Sequence, residues 1–194
     1  FSVQVSVYGV IFYLPTRIAE LLGTKVGLEV GLFISLPWLC AAIAMYFVTR
    51  YADRHGAHLK MAMCMLGMAA LGIAASALLN SFAPVLLAFC FAAAGFVTVQ
   101  PLFWTLPTGY LGGVAAAGGI ALIGSMGNIG GFVAPMLKAN MEIWFTDPRA
   151  GMLSLSAAGL VGVYLLWTLR AQHTPLQANQ GPLDGVANRA PSNP

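Results

Sequence analysis

Long apolar stretches interrupted by isolated charges divide this chain before any motif is sought. A Lys, Arg or Asp at a bilayer centre costs about 2.5–3.5 kcal/mol, so uncharged intervals mark the segments able to cross a membrane. Four stand out: Phe1 to Thr16, Val30 to Thr49, Met61 to Leu137 and Ala150 to Leu169. The third is several times longer than the ~20 residues of one crossing and must turn back on itself. Turn chemistry supplies two breaks, at Asn80-Ser81-Phe82-Ala83-Pro84 and at Gly112-Gly113. Cutting there predicts helices near 61–79, 85–111 and 116–137, hence six spans. The expected fold class is all-α, a polytopic α-helical membrane protein whose residues 1–170 form one six-helix transmembrane bundle.

The two ends read differently. The first interval gives about 24 Å of helix at 1.5 Å per residue, against a hydrocarbon core of about 30 Å. It lacks the basic start and small-residue cleavage site of a signal peptide, so the expectation is a truncated helix with residues missing upstream. Residues 171–194 carry Pro175, Pro182, Pro191 and Pro194 among Gln, Asn and Gly, with little to bury. That composition predicts a disordered tail.

Composition removes most function classes. Charged residues make up 8% of the 194, hydrophobic residues 59%, and the mean hydropathy is +0.81; a soluble domain carries roughly 25% charge. The solvent is lipid, which excludes a soluble enzyme, a nucleic-acid binder and a disulfide scaffold. The net charge of +3 is spread without a basic run, so nucleic acid is not an expected partner. Cys40, Cys64 and Cys90 lie in apolar stretches with no C-x-x-C spacing, predicting buried small hydrophobes and no metal or cofactor. With six spans, Arg50, Arg54, Lys60, Arg170 and Arg189 share one side, and Arg17, Lys25, Lys138 and Arg149 the other. The dense loop 50–60 favours a cytoplasmic first group, with the C-terminal tail, in a multi-pass protein of the plasma (inner) membrane.

Candidate chemistry lies in stripes along the spans. Lipid gives helices no hydrophobic reason to associate, so small residues must let backbones approach. Gly127 and Gly131 form a G-x-x-x-G pair, with Gly124, Ser125, Gly130 and Ala134 nearby, which predicts a packing face and a surface able to rock against a partner. Asn128, midway along the same span, reads equally as interhelical glue or a substrate contact. Gln100, Trp104 and Thr108 fall at i, i+4 and i+8, between Pro101 and Pro107, and suggest a wet wall. Gln4, Tyr8 and Phe12 repeat that spacing and make a second cavity face; Ser35 and Trp38 beside Pro37 give a weaker signal. No Asp, Glu, Lys, Arg or His falls within a predicted span core, so any driving ion is expected to be handled elsewhere.

The segment TRYADRHGAHLK (49–60) joins the second and third spans. Asp53 is expected near the N-terminus of the following helix, where a carboxylate suits the macrodipole, with Arg54 beside it. His55 and His58 with Asp53 could imitate a metal site, but a hydrated loop is the plainer reading. Arg50 and Asp53-Arg54-His55-Gly56 resemble the D-R-x-G loop of the major facilitator superfamily in its second-half copy, with Thr49 in place of glycine and Ala57-His58 in place of a basic pair. PLFWTLPTGYLGGVAAAGGIALIGSMGNIGGFVAP (101–135), YGVIFYLPTRIAELLG (8–23) and VGLFISLPWLCAAIAMY (30–46) are similar to segments of the anion:cation symporter family.

That resemblance implies the C-terminal half of a twelve-helix carrier with a central site, its missing N-terminal half supplying the cation for the substrate carboxylate and the proton-carrying acids. It implies a small organic anion as substrate (a sugar acid, dicarboxylate or aromatic acid), a proton or sodium ion as driver, alternating access in the lipid bilayer, and a conformational-switch role for Arg50, Asp53, Arg54 and Gly56. It also tips Asn128 towards a substrate contact. Two rival classes remain. A self-assembling six-helix structural subunit fits the composition, whereas an intramembrane enzyme is disfavoured because no span holds a Ser with a His partner, paired aspartates or H-E-x-x-H.

Overall fold

Six helices carry the chain: α1 (Ser2–Leu22), α2 (Leu28–His55), α3 (His58–Leu78), α4 (Phe82–Tyr110), α5 (Gly113–Phe145) and α6 (Pro148–Ala178). The computed structural model describes the backbone of residues 1–23, 27–110 and 113–178, and the side chains of 1–23, 27–106 and 117–168. Among the described residues there is no strand, and all six helices are long and apolar enough to cross a membrane. The expected all-α, six-span architecture is therefore observed. The break at Gly112 and the side chains of Lys25 and Arg170 lie outside the described residues. The expected tail begins inside α6, whose backbone continues to Ala178, and its remainder lies outside them too.

Charges mark the membrane boundary but do not end helices. α1 runs past Arg17, which pairs with Glu20 on the helix surface at 3.2 Å, and stops at Gly23, whose φ of 64° is left-handed backbone that glycine adopts without strain. Its 21 residues correct the length inferred from the uncharged interval. α2 likewise continues through Thr49 to His55, ending where Gly56 supplies φ 59° and its neighbour Ala57 N–H returns to Ala52 O at 3.1 Å. Asp53 and Arg54 therefore sit in the last turn of α2, not at the start of the next helix as expected, because nothing before Gly56 breaks the helix. At the other end Asp147 caps α6, accepting from Arg149 N–H at 2.8 Å with Pro148 at the first helical position.

α4 is the axis of the bundle. Two-thirds of its span (67%) is buried, against 17% for α2 and for α5, and Val85, Phe89, Ala92, Phe96, Val99 and Leu102 are all but inaccessible. Glycine permits the close approach of α3: a Cβ on Gly95 would lie 2.5 Å from Met65 O, and one on Gly72 2.7 Å from Ala92 N. Neither glycine was singled out in the sequence, since helix periodicity does not reveal which small residue meets a backbone. Ser156 Oγ donates to Ala70 O at 2.7 Å and ties α6 to α3. The cysteines divide: Cys90 is buried and Cys40 half-buried, but Cys64 is exposed. This corrects the expectation of three buried thiols, for a thiol facing lipid loses no apolar environment.

Candidate functional site

α1, α4, α5 and α6, with Leu66 of α3, border a cavity of about 230 Å³, lined by Gln4, Gln100, Phe103, Trp104, Gly124 and Gly127 among others. Two of the expected stripes meet there. Gln100 Nε2 donates to Gln4 Oε1 at 3.2 Å and links α4 to α1. An amide pair of this kind satisfies one donor and one acceptor and leaves the other amide positions of both side chains for a polar ligand. Trp104, edge-on to Phe103 at 5.9 Å between centroids, supplies a large aromatic surface within the same enclosure. Two glycines thin the α5 wall, where a Cβ on Gly124 would stand 3.8 Å from Trp104 Cη2 and one on Gly127 3.3 Å from Gln4 Cγ, and Leu66, Leu165 and Leu166 add an apolar side. The cavity owes its room to those missing side chains.

The other candidate residues are dispersed. Tyr8 lies one turn beyond Gln4, close against Gly131, whose Cβ would fall 2.6 Å from the ring, and it lines a separate pocket. Thr108 lies outside the described side chains. Asn128 is exposed on α5 and is absent from the cavity lining; its neighbour Gly127 faces inward instead. Ser125 is also exposed and donates to its own helix at Ala121 O (2.8 Å), so the packing face consists of Gly124, Gly127, Gly130, Gly131 and Ala134. Ser35 likewise serves its own helix, donating to Leu32 O at 2.6 Å, and Trp38 stands edge-on to Phe96 at 5.7 Å.

At the α2–α3 connection, His58 Nε2 and Asp53 Oδ1 are 2.9 Å apart, bridging the end of one helix and the start of the next. His55 Nδ1 is 3.0 Å from Tyr51 O, so the two imidazoles serve different partners. Arg50 Nη1 donates to Tyr46 Oη at 2.9 Å, back along its own helix.

Sequence reasoning missed one polar cluster. α5 continues past Leu137, so Lys138 and Glu142 belong to the helix, with Lys138 Nζ 3.0 Å from Glu142 Oε1 and Tyr13 Oη donating to that oxygen at 2.8 Å. The i, i+4 spacing of Lys138 and Glu142 was the available signal; treating Lys138 as the end of a span hid it.

The sequence model of the Major Facilitator Superfamily matches residues 1–135. The chain belongs to that superfamily. Among its relatives, the inner membrane transport protein RhmT of Escherichia coli (strain K12) is 41% identical over 178 residues, covering 92% of this chain and 41% of that protein. A quinolone resistance transporter of Acinetobacter baumannii is 31% identical over 170 residues, 88% of this chain and 39% of its own. A putative tartrate transporter of Agrobacterium vitis is 37% identical over 142 residues, 67% of this chain and 30% of its own. This Major Facilitator chain thus spans at most 41% of the length of these relatives. No solved structure matches it.

Proposed function

We propose that this chain forms one half of a twelve-helix secondary transporter of the inner membrane, lining one wall of a path for a small organic anion. The observation that carries this reading is the Gln4–Gln100 pair beside Trp104, in a cavity that the glycine face of α5 leaves open. Polar groups held among apolar helices are costly unless they serve a partner or a ligand, and amides with an indole suit an acid bearing hydroxyl or aromatic groups. Similarity to two proteins named as putative tartrate transporters supports a hydroxy-carboxylate as substrate.

Asn128 belongs to the reading through its exposure. On this half it has no enclosing wall, and a partner half seated against α5 would close over it and set its amide beside the path. The same docking would cover the poorly buried faces of α2 and α5. The driving proton or sodium ion would be bound mainly by that other half, since the described spans place no acid at the cavity. The loop at Asp53 and the C-terminal tail would face the cytoplasm, and the Asp53–His58 bridge would fasten α2 to α3 during the cycle.

Uptake by the full-length protein in proteoliposomes tests this function. Tartrate, a monocarboxylic sugar acid and an aromatic acid should be compared under an imposed pH gradient, a sodium gradient and neither. Gradient-driven accumulation of at least one acid is expected; failure of all three to accumulate under either gradient would contradict the reading.

A further inference from the structure

About 13 Å along α1 from Gln4, the cluster missed in the sequence borders a second cavity. Its volume is about 190 Å³, and its lining includes Tyr8, Phe12, Thr16, Pro135 and Lys138 but not Glu142. Lys138 is held in a fixed setting. Its ammonium lies 3.7 Å from the centroid of the Tyr13 ring, Glu142 accepts from it at 3.1 Å, and only 22% of the side chain is accessible. α6 backs the pair, since a Cβ on Gly151 would meet Lys138 Cγ at 2.6 Å and Glu142 Oε1 at 2.7 Å. Glu142 is held in turn by Tyr13 Oη, which keeps its carboxylate out of the cavity that Lys138 enters.

We propose that this cavity is a second, outer carboxylate site, in which Lys138 receives the carboxylate of a small organic acid and Tyr8 bonds its hydroxyl group. An ammonium has three donors, and one fixed carboxylate does not exhaust them. The hydroxyl of Tyr8 has no hydrogen-bond partner among the described residues, so it is available to a ligand. A cavity of about 190 Å³ suits a small acid. Glu142 disfavours a dianion bound close to it, so a single carboxylate with neighbouring hydroxyls is the class that fits. Within the carrier reading, on which its purpose rests, this site would hold the acid between the outer rim of α1 and α5 and the inner cavity at Trp104.

The test uses a reporter at the rim. Thr16 is exposed, lines the cavity and donates only to Tyr13 O within its own helix, so Thr16→Cys tolerates modification. The full-length protein carrying Thr16→Cys is treated, in uncharged detergent that excludes lipid phosphate, with an anionic methanethiosulfonate; the parent is treated alike to subtract the native cysteines. Glycolate or glycerate, each a single carboxylate with a neighbouring hydroxyl, should slow modification about threefold at twice its dissociation constant, and sucrose should not. Protection should vanish in Lys138→Gln, return in Lys138→Arg and persist in Trp104→Ala. No protection by either acid, protection that survives Lys138→Gln, or protection that requires Trp104 would overturn the outer site. None of these readings needs transport, so absence of uptake would leave the outer site standing on its own evidence of protection.

Discussion

Glycine joins α3 to α4 and α1 to α5 in different ways. Between α3 and α4, an added Cβ on Gly72 or Gly95 would strike backbone: Ala92 N and Ala88 O in one case, Met65 O and Ala69 N in the other, all within 2.8 Å. Backbone in a helix cannot yield. Between α1 and α5, an added Cβ would meet the Tyr8 ring at Gly131 and the Gln4 stem at Gly127, and side chains can swing aside. Gly130 is the exception, at 2.8 Å from Phe1 O. The first contact behaves as a weld that sets the bundle, the second as a seam with a cavity beside it, closed at one end by Gln4–Gln100 and at the other by Tyr13–Glu142–Lys138.

The largest expected effect breaks the weld. Gly95→Val should abolish folded yield of the full-length protein, and Gly95→Ala should cost about 1–3 kcal/mol, the usual penalty of overpacking, read as a lowered midpoint in a thermal unfolding scan. Gly127→Ala, where the nearest atom is a yielding side-chain carbon at 3.3 Å, should leave that midpoint nearly unchanged. Equal losses at the two glycines would remove the distinction between weld and seam.

Next comes Asn128→Ala. An exposed amide contributes no packing within this bundle, so extracted yield should hold while substrate affinity falls by about 1–3 kcal/mol through an unpaired ligand group. Normal affinity with poor yield would make the amide packing glue instead. The smallest effect is expected outside the membrane. Asp53 and His58 form a largely exposed pair of the kind that contributes about 0–1 kcal/mol, so Asp53→Asn should slow transport moderately with affinity unchanged. Unaltered turnover at normal expression would reduce the bridge to an orientation signal.

The contrast between weld and seam also marks what could be read from the residues. Charge-free intervals and Gly or Pro breaks located all six helices, because the cost of a charge in lipid dominates every local propensity. They misplaced helix ends, since an exposed Arg17 or Asp53 is compatible with helix, and α1 and α2 stop where Gly23 and Gly56 turn left-handed, as Thr146 does after α5. The i, i+4, i+8 stripes brought Gln4, Gln100 and Trp104 to one cavity because 3.6-residue periodicity fixes a face. Which partner that face meets is a tertiary fact: Asn128 and Gly127 are adjacent in sequence, yet one is exposed and the other buried. Gly72 and Gly95 were indistinguishable from other small residues until α3 and α4 were packed.

The central claim is that the cavity bordered by α1, α4, α5 and α6 binds the substrate. Its most direct test is a binding isotherm for one transported acid with full-length Trp104→Ala and Gln100→Ala proteins, using extracted yield as the folding control. Loss of the amide should weaken binding about fivefold or more, the ~1–3 kcal/mol of an unpaired polar group, and loss of the indole should weaken it too, more for an aromatic acid whose ring can stack. Parental affinity in both variants, at parental yield, would contradict the account.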